Sequence, residues 1–138
     1  MPIESARRRL SANDLGITGS HQAGFLVPKK LIRDGLFPAL STFQRNPRSR
    51  LQLTRKPSGQ VYYVNFIYYN NKLFGGTRDE YRLTGISAMC RDYGLRVGDQ
   101  IEFVRTGEFD FQIEIIKHNR ESSLLDEESW RLVYGEKT

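Results

Sequence analysis

The sequence of 138 residues has one cysteine, two histidines and no apolar run near the roughly 20 residues of a membrane-spanning helix. Each shortage excludes something. Cys90 alone cannot close an internal disulfide, and with only His21 and His118 beside it there is no ligand set for a structural zinc site, so no metal is expected. Arg7-Arg8-Arg9 is not followed by the apolar stretch of a signal peptide, so the chain is expected to stay in the cytoplasm, with no membrane partner. No glycine-rich loop runs into Lys-Ser or Lys-Thr, which leaves nucleotide hydrolysis without support, and no cofactor is expected. Internal repeats and low-complexity tracts are also missing.

What is present is unevenly distributed charge. Residues 1–60 hold eleven Lys and Arg against three Asp and Glu, net +8, whereas residues 61–138 hold ten against thirteen, net −3. A basic part of this strength suits a polyanion, because each neutralised phosphate releases counterion, and nucleic acid is the economical partner. The plainer alternative is a basic surface that only keeps the chain soluble.

Length fits one domain with a modest core. Residues 1–9 read as a loose basic arm, and Leu10 to Gly24, LSANDLGITGSHQAG, as a loop rich in backbone-bending residues. Phe25 to Val27 predicts a short strand, Pro28 opens a helix to about Phe37 with Leu31, Ile32 and Leu36 inward, and Pro38 ends it. A strand near Ser49 to Thr54 and a turn at Lys56-Pro57-Ser58-Gly59 precede VYYVNFIYY, Val61 to Tyr69, the strongest strand in the chain. Its aromatics read as core and sheet surface rather than as a base-stacking platform. Further expectations are a strand over Arg78 to Leu83, a helix over Ser87 to Tyr93 stopped by Gly94, and strands over Ile101 to Arg105 and Phe109 to Ile116. In the first of the last two, Ile101 and Phe103 point inward, and in the second Phe109, Phe111, Ile113 and Ile115 share one face, as in a barrel or sandwich. From Asn119 the chain turns acidic, and residues 119–138 are expected to form a tail or linker, with a helix possible over Ser123 to Val133 and Leu124, Trp130 and Val133 packed on the body.

Gly75 to Arg82, GGTRDEYR, carries the most chemistry. In an extended chain Arg78, Glu80 and Arg82 share one face. An arginine fork can hold guanine O6 and N7 and a carboxylate suits cytosine N4, so this face can read both bases of a G·C pair; a purely phosphate-binding strand would not want Glu80. The alternative is a solvated strand whose charges pair with neighbours. Catalysis finds less. Asp110, Glu114 and Lys117 approach the carboxylate-and-lysine pattern of a metal-dependent nuclease, but in a strand Lys117 lies opposite the two acids. His21, between Ser20 and Gln22, is a better donor to phosphate or base edges than a general base.

Two segments, SANDLGITGSHQAGFLVP (Ser11 to Pro28) and YYNNKLFGGTRDEYRLTG (Tyr68 to Gly85), closely resemble the N-terminal effector domain of EcoRII-type restriction endonucleases, and LRVGDQIEFVR (Leu95 to Arg105) resembles a late strand of the wider B3 family of DNA-binding pseudobarrels. The resemblance implies a mainly β fold, an open seven-stranded barrel over residues 10–118 with two short α-helices, whose N-arm (Arg9 to Gln22) and C-arm (Asn70 to Arg82) clamp double-stranded DNA and enter the major groove. It implies base contacts by Arg78, Glu80, Arg82 and His21, with Gln22, Asn13 and Asp79 added from the arms. Backbone contacts are expected from Arg7, Arg8, Arg9, Ser20, Lys30, Asn70, Lys72 and Thr77. Gly76 and Tyr81 stand where the family's best-known member has lysines, charges that Lys72 or the Arg7 to Arg9 arm could replace. A non-catalytic binding module, a partner nuclease domain elsewhere in a longer type IIE enzyme and a site of CCWGG type follow from the resemblance. A stand-alone B3-like regulator and an active nuclease are the rival expectations.

Overall fold

The computed structural model describes residues 3–16, 24–118 and 130–134. Alternation of side chains dictates the architecture. Leu51 and Leu53 in β3 (Arg48–Arg55), Val64, Phe66 and Tyr68 in β4 (Val61–Tyr69), Tyr81 and Leu83 in β5 (Glu80–Thr84), Ile101 and Phe103 in β6 (Gln100–Arg105) and Phe111 and Ile113 in β7 (Asp110–Ile116) all point into one core. With β1 (Ile3–Arg9), β2 (Phe25–Val27) and β8 (Trp130–Tyr134), the described residues form one eight-stranded sheet in the order β2-β5-β4-β3-β7-β6-β1-β8. All pairings are antiparallel except β3 with β7. The fold is therefore the mainly β pseudobarrel expected from the sequence, with eight strands instead of seven.

The sheet curls until its outer strands meet. The Trp130 indole on β8 donates to the Leu26 carbonyl on β2 at 3.1 Å, and its ring packs edge-on against Phe25, 5.8 Å away between centroids. Phe37, Phe66, Phe103 and Phe111 fill the interior behind it, with Phe37 stacked on Phe66 and on Phe111.

Two short helices lie between the strands. α1 covers Lys29–Arg33, shorter than expected, because Gly35 takes a left-handed φ of 88° and the Gly35 and Leu36 amides fold back onto the Ile32 and Leu31 carbonyls. α2 covers Ser87–Asp92 and stops at Gly94, φ 58°. Two expectations are corrected. The loose arm is β1 from Ile3 onward, hydrogen-bonded on both sides; and the described part of the expected C-terminal helix is β8, with Trp130 and Leu132 packed on the core at strand spacing. The remainder of that helix, residues 123–129, lies outside the described residues.

Candidate nucleic-acid interface

The C-arm is a short excursion whose shape is set at its root. Asn70 is 0% exposed. Its Oδ1 accepts the Asn46 amide at 2.8 Å, and its Nδ2 donates to the Gln44 carbonyl at 2.7 Å and the Ser41 carbonyl at 3.4 Å. It ties the 41–46 loop to the arm, a buried structural role at a position expected to contact the DNA backbone. A 3-10 turn, Asn71–Phe74, follows and ends at Gly75, φ 89°. The chain doubles back tightly here: a Cβ at Gly76 would stand 2.9 Å from the Asn71 Cβ, and the Lys72 amide donates to the Arg78 carbonyl at 2.9 Å. Lys72 and Thr77 are exposed on this loop.

Beyond it, strand alternation separates the charged residues. Arg78, Glu80 and Arg82 come together as the sequence predicts: Arg78 Nε donates to Glu80 Oε1 at 2.6 Å, and Arg82 Nη1 lies 3.8 Å from Glu80 Oε2. The Arg78 guanidinium lies 3.7 Å from the centroid of Tyr69, the residue opposite Glu80 on β4, so its plane is held by an aromatic face as well as by the carboxylate. Arg82 is only 9% exposed, beside Leu26 in register on β2. Asp79 is turned away. It accepts from the Tyr68 hydroxyl at 2.8 Å and from Lys29 Nζ on α1. Lys29 and then Tyr68 hold its carboxyl below the usual range, while burial and then the hydrogen bond to Asp79 push the Tyr68 hydroxyl up to about 12. Tyr68 itself stacks on Tyr81 at 4.2 Å. Asp79 is thus an anchor between β5 and α1, and does not join the trio.

The other expected residues scatter. Arg8 is buried and grips Asp14 with two nitrogens, at 3.0 and 2.8 Å, its guanidinium 5.1 Å from the Phe25 ring and 5.8 Å from Trp130. Arg7 pairs with Glu102 across β6 at 2.7 Å, and Arg9 pairs in register with Gln100. Lys30 bonds Asp34 at 2.9 Å, over the Tyr134 ring. Asn13 lies in the turn that follows β1, its carbonyl accepting from the Gly16 amide at 3.1 Å. Ser20, His21 and Gln22 lie outside the described residues. Of the nuclease-like set, Lys117 bonds the Tyr93 and Gly94 carbonyls and Asp99, away from the exposed Asp110 and Glu114. No group of three or more His, Cys, Asp or Glu able to hold a metal occurs among the described residues.

One residue escaped the sequence reading. Arg45, from the 41–46 loop, lines an open cleft of about 470 Å³ together with Asn71, Phe74, Gly75, Gly76, Thr77 and Arg78. The basic run from Arg45 to Arg50 was the available signal, but nothing in the sequence links it to the C-arm; Asn70 makes that link.

Residues 3–91 match the family described as "Restriction endonuclease EcoRII, N-terminal". The chain is 38% identical over 82 residues to the type II restriction enzyme EcoRII of Escherichia coli; the match covers 56% of this chain and 19% of that enzyme, so it spans about a fifth of the relative's length. Three solved structures share the fold. The Arabidopsis FUS3–DNA complex has a TM-score of 0.62 and 18% identity, covering 82% of this chain and 96% of that one. The N-terminal domain of Helicobacter pylori LlaJI.R1 has 0.57 and 15%, covering 96% and 98%. The B3 domain of the UbaLAI restriction endonuclease, with cognate DNA, has 0.50 and 18%, covering 82% and 69%.

Proposed function

Because this chain belongs to the family of EcoRII N-terminal restriction endonuclease domains, we propose that it is a non-catalytic module that binds double-stranded DNA in a sequence-specific manner. The observation that carries the reading is the convergence of Arg78, Glu80 and Arg82 on one face of the C-arm, Arg78 and Glu80 half-buried and Arg82 buried beside them, with Arg78 stacked on Tyr69. A guanidinium fixed in plane is ready to make a bidentate contact to guanine, and a carboxylate has about four lone-pair sites, so Glu80 can hold Arg78 and still accept from a cytosine amino group. Two neighbours in fold, the FUS3 complex and the UbaLAI domain, are DNA-bound in their structures, which supports the same ligand class.

In finer detail, the reading is that the C-arm, together with the segment holding His21 and Gln22, enters the major groove at a short G·C-flanked site of CCWGG type. A nuclease domain elsewhere in a longer cytoplasmic protein does the cutting. Lys72 and Thr77 serve as backbone contacts. Arg8, enclosed by Asp14 and two rings, is withdrawn from that set.

Selection from random duplexes supplies the site, and competition over its single-base-pair variants tests the face. Glu80→Gln keeps size and one acceptor but adds a donor, so discrimination at one base pair should fall by about 1 to 3 kcal/mol, while nonspecific affinity holds or rises. Arg78→Ala should lose guanine preference and affinity together. An unchanged preference profile for Glu80→Gln would show that the carboxylate only braces the arginine. Cleavage of plasmid by the isolated chain with magnesium would replace the binding module with a nuclease.

A further inference from the structure

The cleft between the 41–46 loop and the C-arm has a composition that needs explaining. Two arginines, Arg45 and Arg78, reach it from different loops, and no carboxylate is among its lining residues. Arg45 is exposed, yet its guanidinium rests 5.5 Å from the centroid of Phe74, which limits its wandering. Gly75 and Gly76 keep the wall low, since a side chain at Gly76 would meet Asn71. The loop that carries Arg45 is fastened to the root of the arm by the three hydrogen bonds of buried Asn70. Glu80 answers the charge of Arg78, so the cation that faces this open, polar cavity with no carboxylate in its lining is Arg45, and such a charge recruits an anion.

We propose that this cleft is a phosphate site, in which Arg45 binds a phosphodiester of the duplex whose bases are read by Arg78, Glu80 and Arg82, making the 41–46 loop a third DNA-contacting element. It rests on the DNA-binding reading above. Arg45 and Arg78 then divide the work across one cavity: Arg45 takes the backbone, and Arg78, held by Glu80 and Tyr69, takes a base edge. Because Asn70 fixes the loop to the arm, the backbone contact also sets the register at which the reading face meets the groove.

The test is titration of the full chain with selected and random duplexes across a salt series. Arg45→Ala should weaken both by about five- to tenfold at 0.1 M salt and reduce the salt slope by about one, whereas Arg45→Lys should keep most of the slope. Arg91→Ala, an exposed cation on α2, is the control and should change neither. Unaltered affinity and slope for Arg45→Ala, with the wild type still binding, overturns the phosphate site alone; absence of duplex binding by the wild type overturns the DNA-binding reading first. A changed base preference in Arg45→Ala overturns the assignment to phosphate. Inorganic phosphate distinguishes the source of the anion: a rise in melting temperature that depends on Arg45 would mark a site for free anion and overturn the duplex contact.

Discussion

Arg8 and Arg78 are both arginines paired with a carboxylate, and their surroundings give them opposite uses. Arg8 faces the barrel interior with its charge cancelled by Asp14, and the Asp14 carboxylate also accepts the Ser11 amide at 3.0 Å, so the pair fixes the turn that leaves β1. Arg8→Ala would leave a buried carboxylate uncompensated. We expect a loss of about 3 to 5 kcal/mol, read by denaturant unfolding, with Arg8→Ala/Asp14→Ala recovering part of it. The spacing of Arg78, Glu80 and Arg82 was legible because strand geometry puts alternate residues on one face. Arg8 was not, because its own enclosure depends on Phe25 and Trp130 arriving from distant segments. Asp79 shows the same limit. It neighbours the reading face in sequence, but alternation turns it toward Lys29, fifty residues away along the chain.

At the scale of elements, strands with clear alternation were legible and segments with mixed signals were not. IESARRR carries three arginines in succession beside the buried Ala6, and is a strand only because β6 and β8 flank it. The segment around Trp130 satisfies helix and strand spacing equally well over so few residues, and the free side of β1 decides for the strand. Its tryptophan closes the barrel. Trp130→Phe should keep the ring packing and lose the bond to the Leu26 carbonyl, costing about 0.5 to 1.5 kcal/mol, while Trp130→Ala should cost about 3 kcal/mol. Thermal unfolding and amide exchange at β2 would report both. Equal effects of the two variants would mean that the hydrogen bond, and not the ring, carries the closure.

For the whole molecule, the charge asymmetry read from the sequence does not map onto two halves. Residues 1–60 supply β1, β2, α1 and β3, and those strands are dispersed through the sheet order, with Arg7 answered by Glu102. The basic excess becomes local at loops such as 41–46. Integrity across the barrel also depends on Asp99, nearly fully buried below the α2 stop. Burial raises its carboxyl, but the His118 and Arg96 amides and Lys117 outweigh that and hold it below its ordinary value. A folded value below the unfolded one contributes stability above about pH 4, which is lost as pH falls through the lower folded value. Melting temperature followed from about pH 7 to pH 2 should therefore drop steeply in acid for the wild type. In Asp99→Asn the melting temperature should be lower near neutrality and its acid dependence shallower. Parallel curves would remove Asp99 as a source of the acid sensitivity.

The position of β1 has a consequence in time. Its hydrogen-bond partners are β6 and β8, and Ala6 meets Phe103 on one side and Leu132 on the other. During synthesis at about 5 to 20 residues per second, β1 therefore waits roughly 5 to 20 seconds for its first neighbour. A solitary strand with unused amides and carbonyls is a template for the wrong chain. Arg7, Arg8 and Arg9 in succession make it a poor one, since like strands brought together would set cation against cation. The arginines that end as a cross-strand ion pair and a buried grip on Asp14 would first have guarded the nascent chain against its own copies.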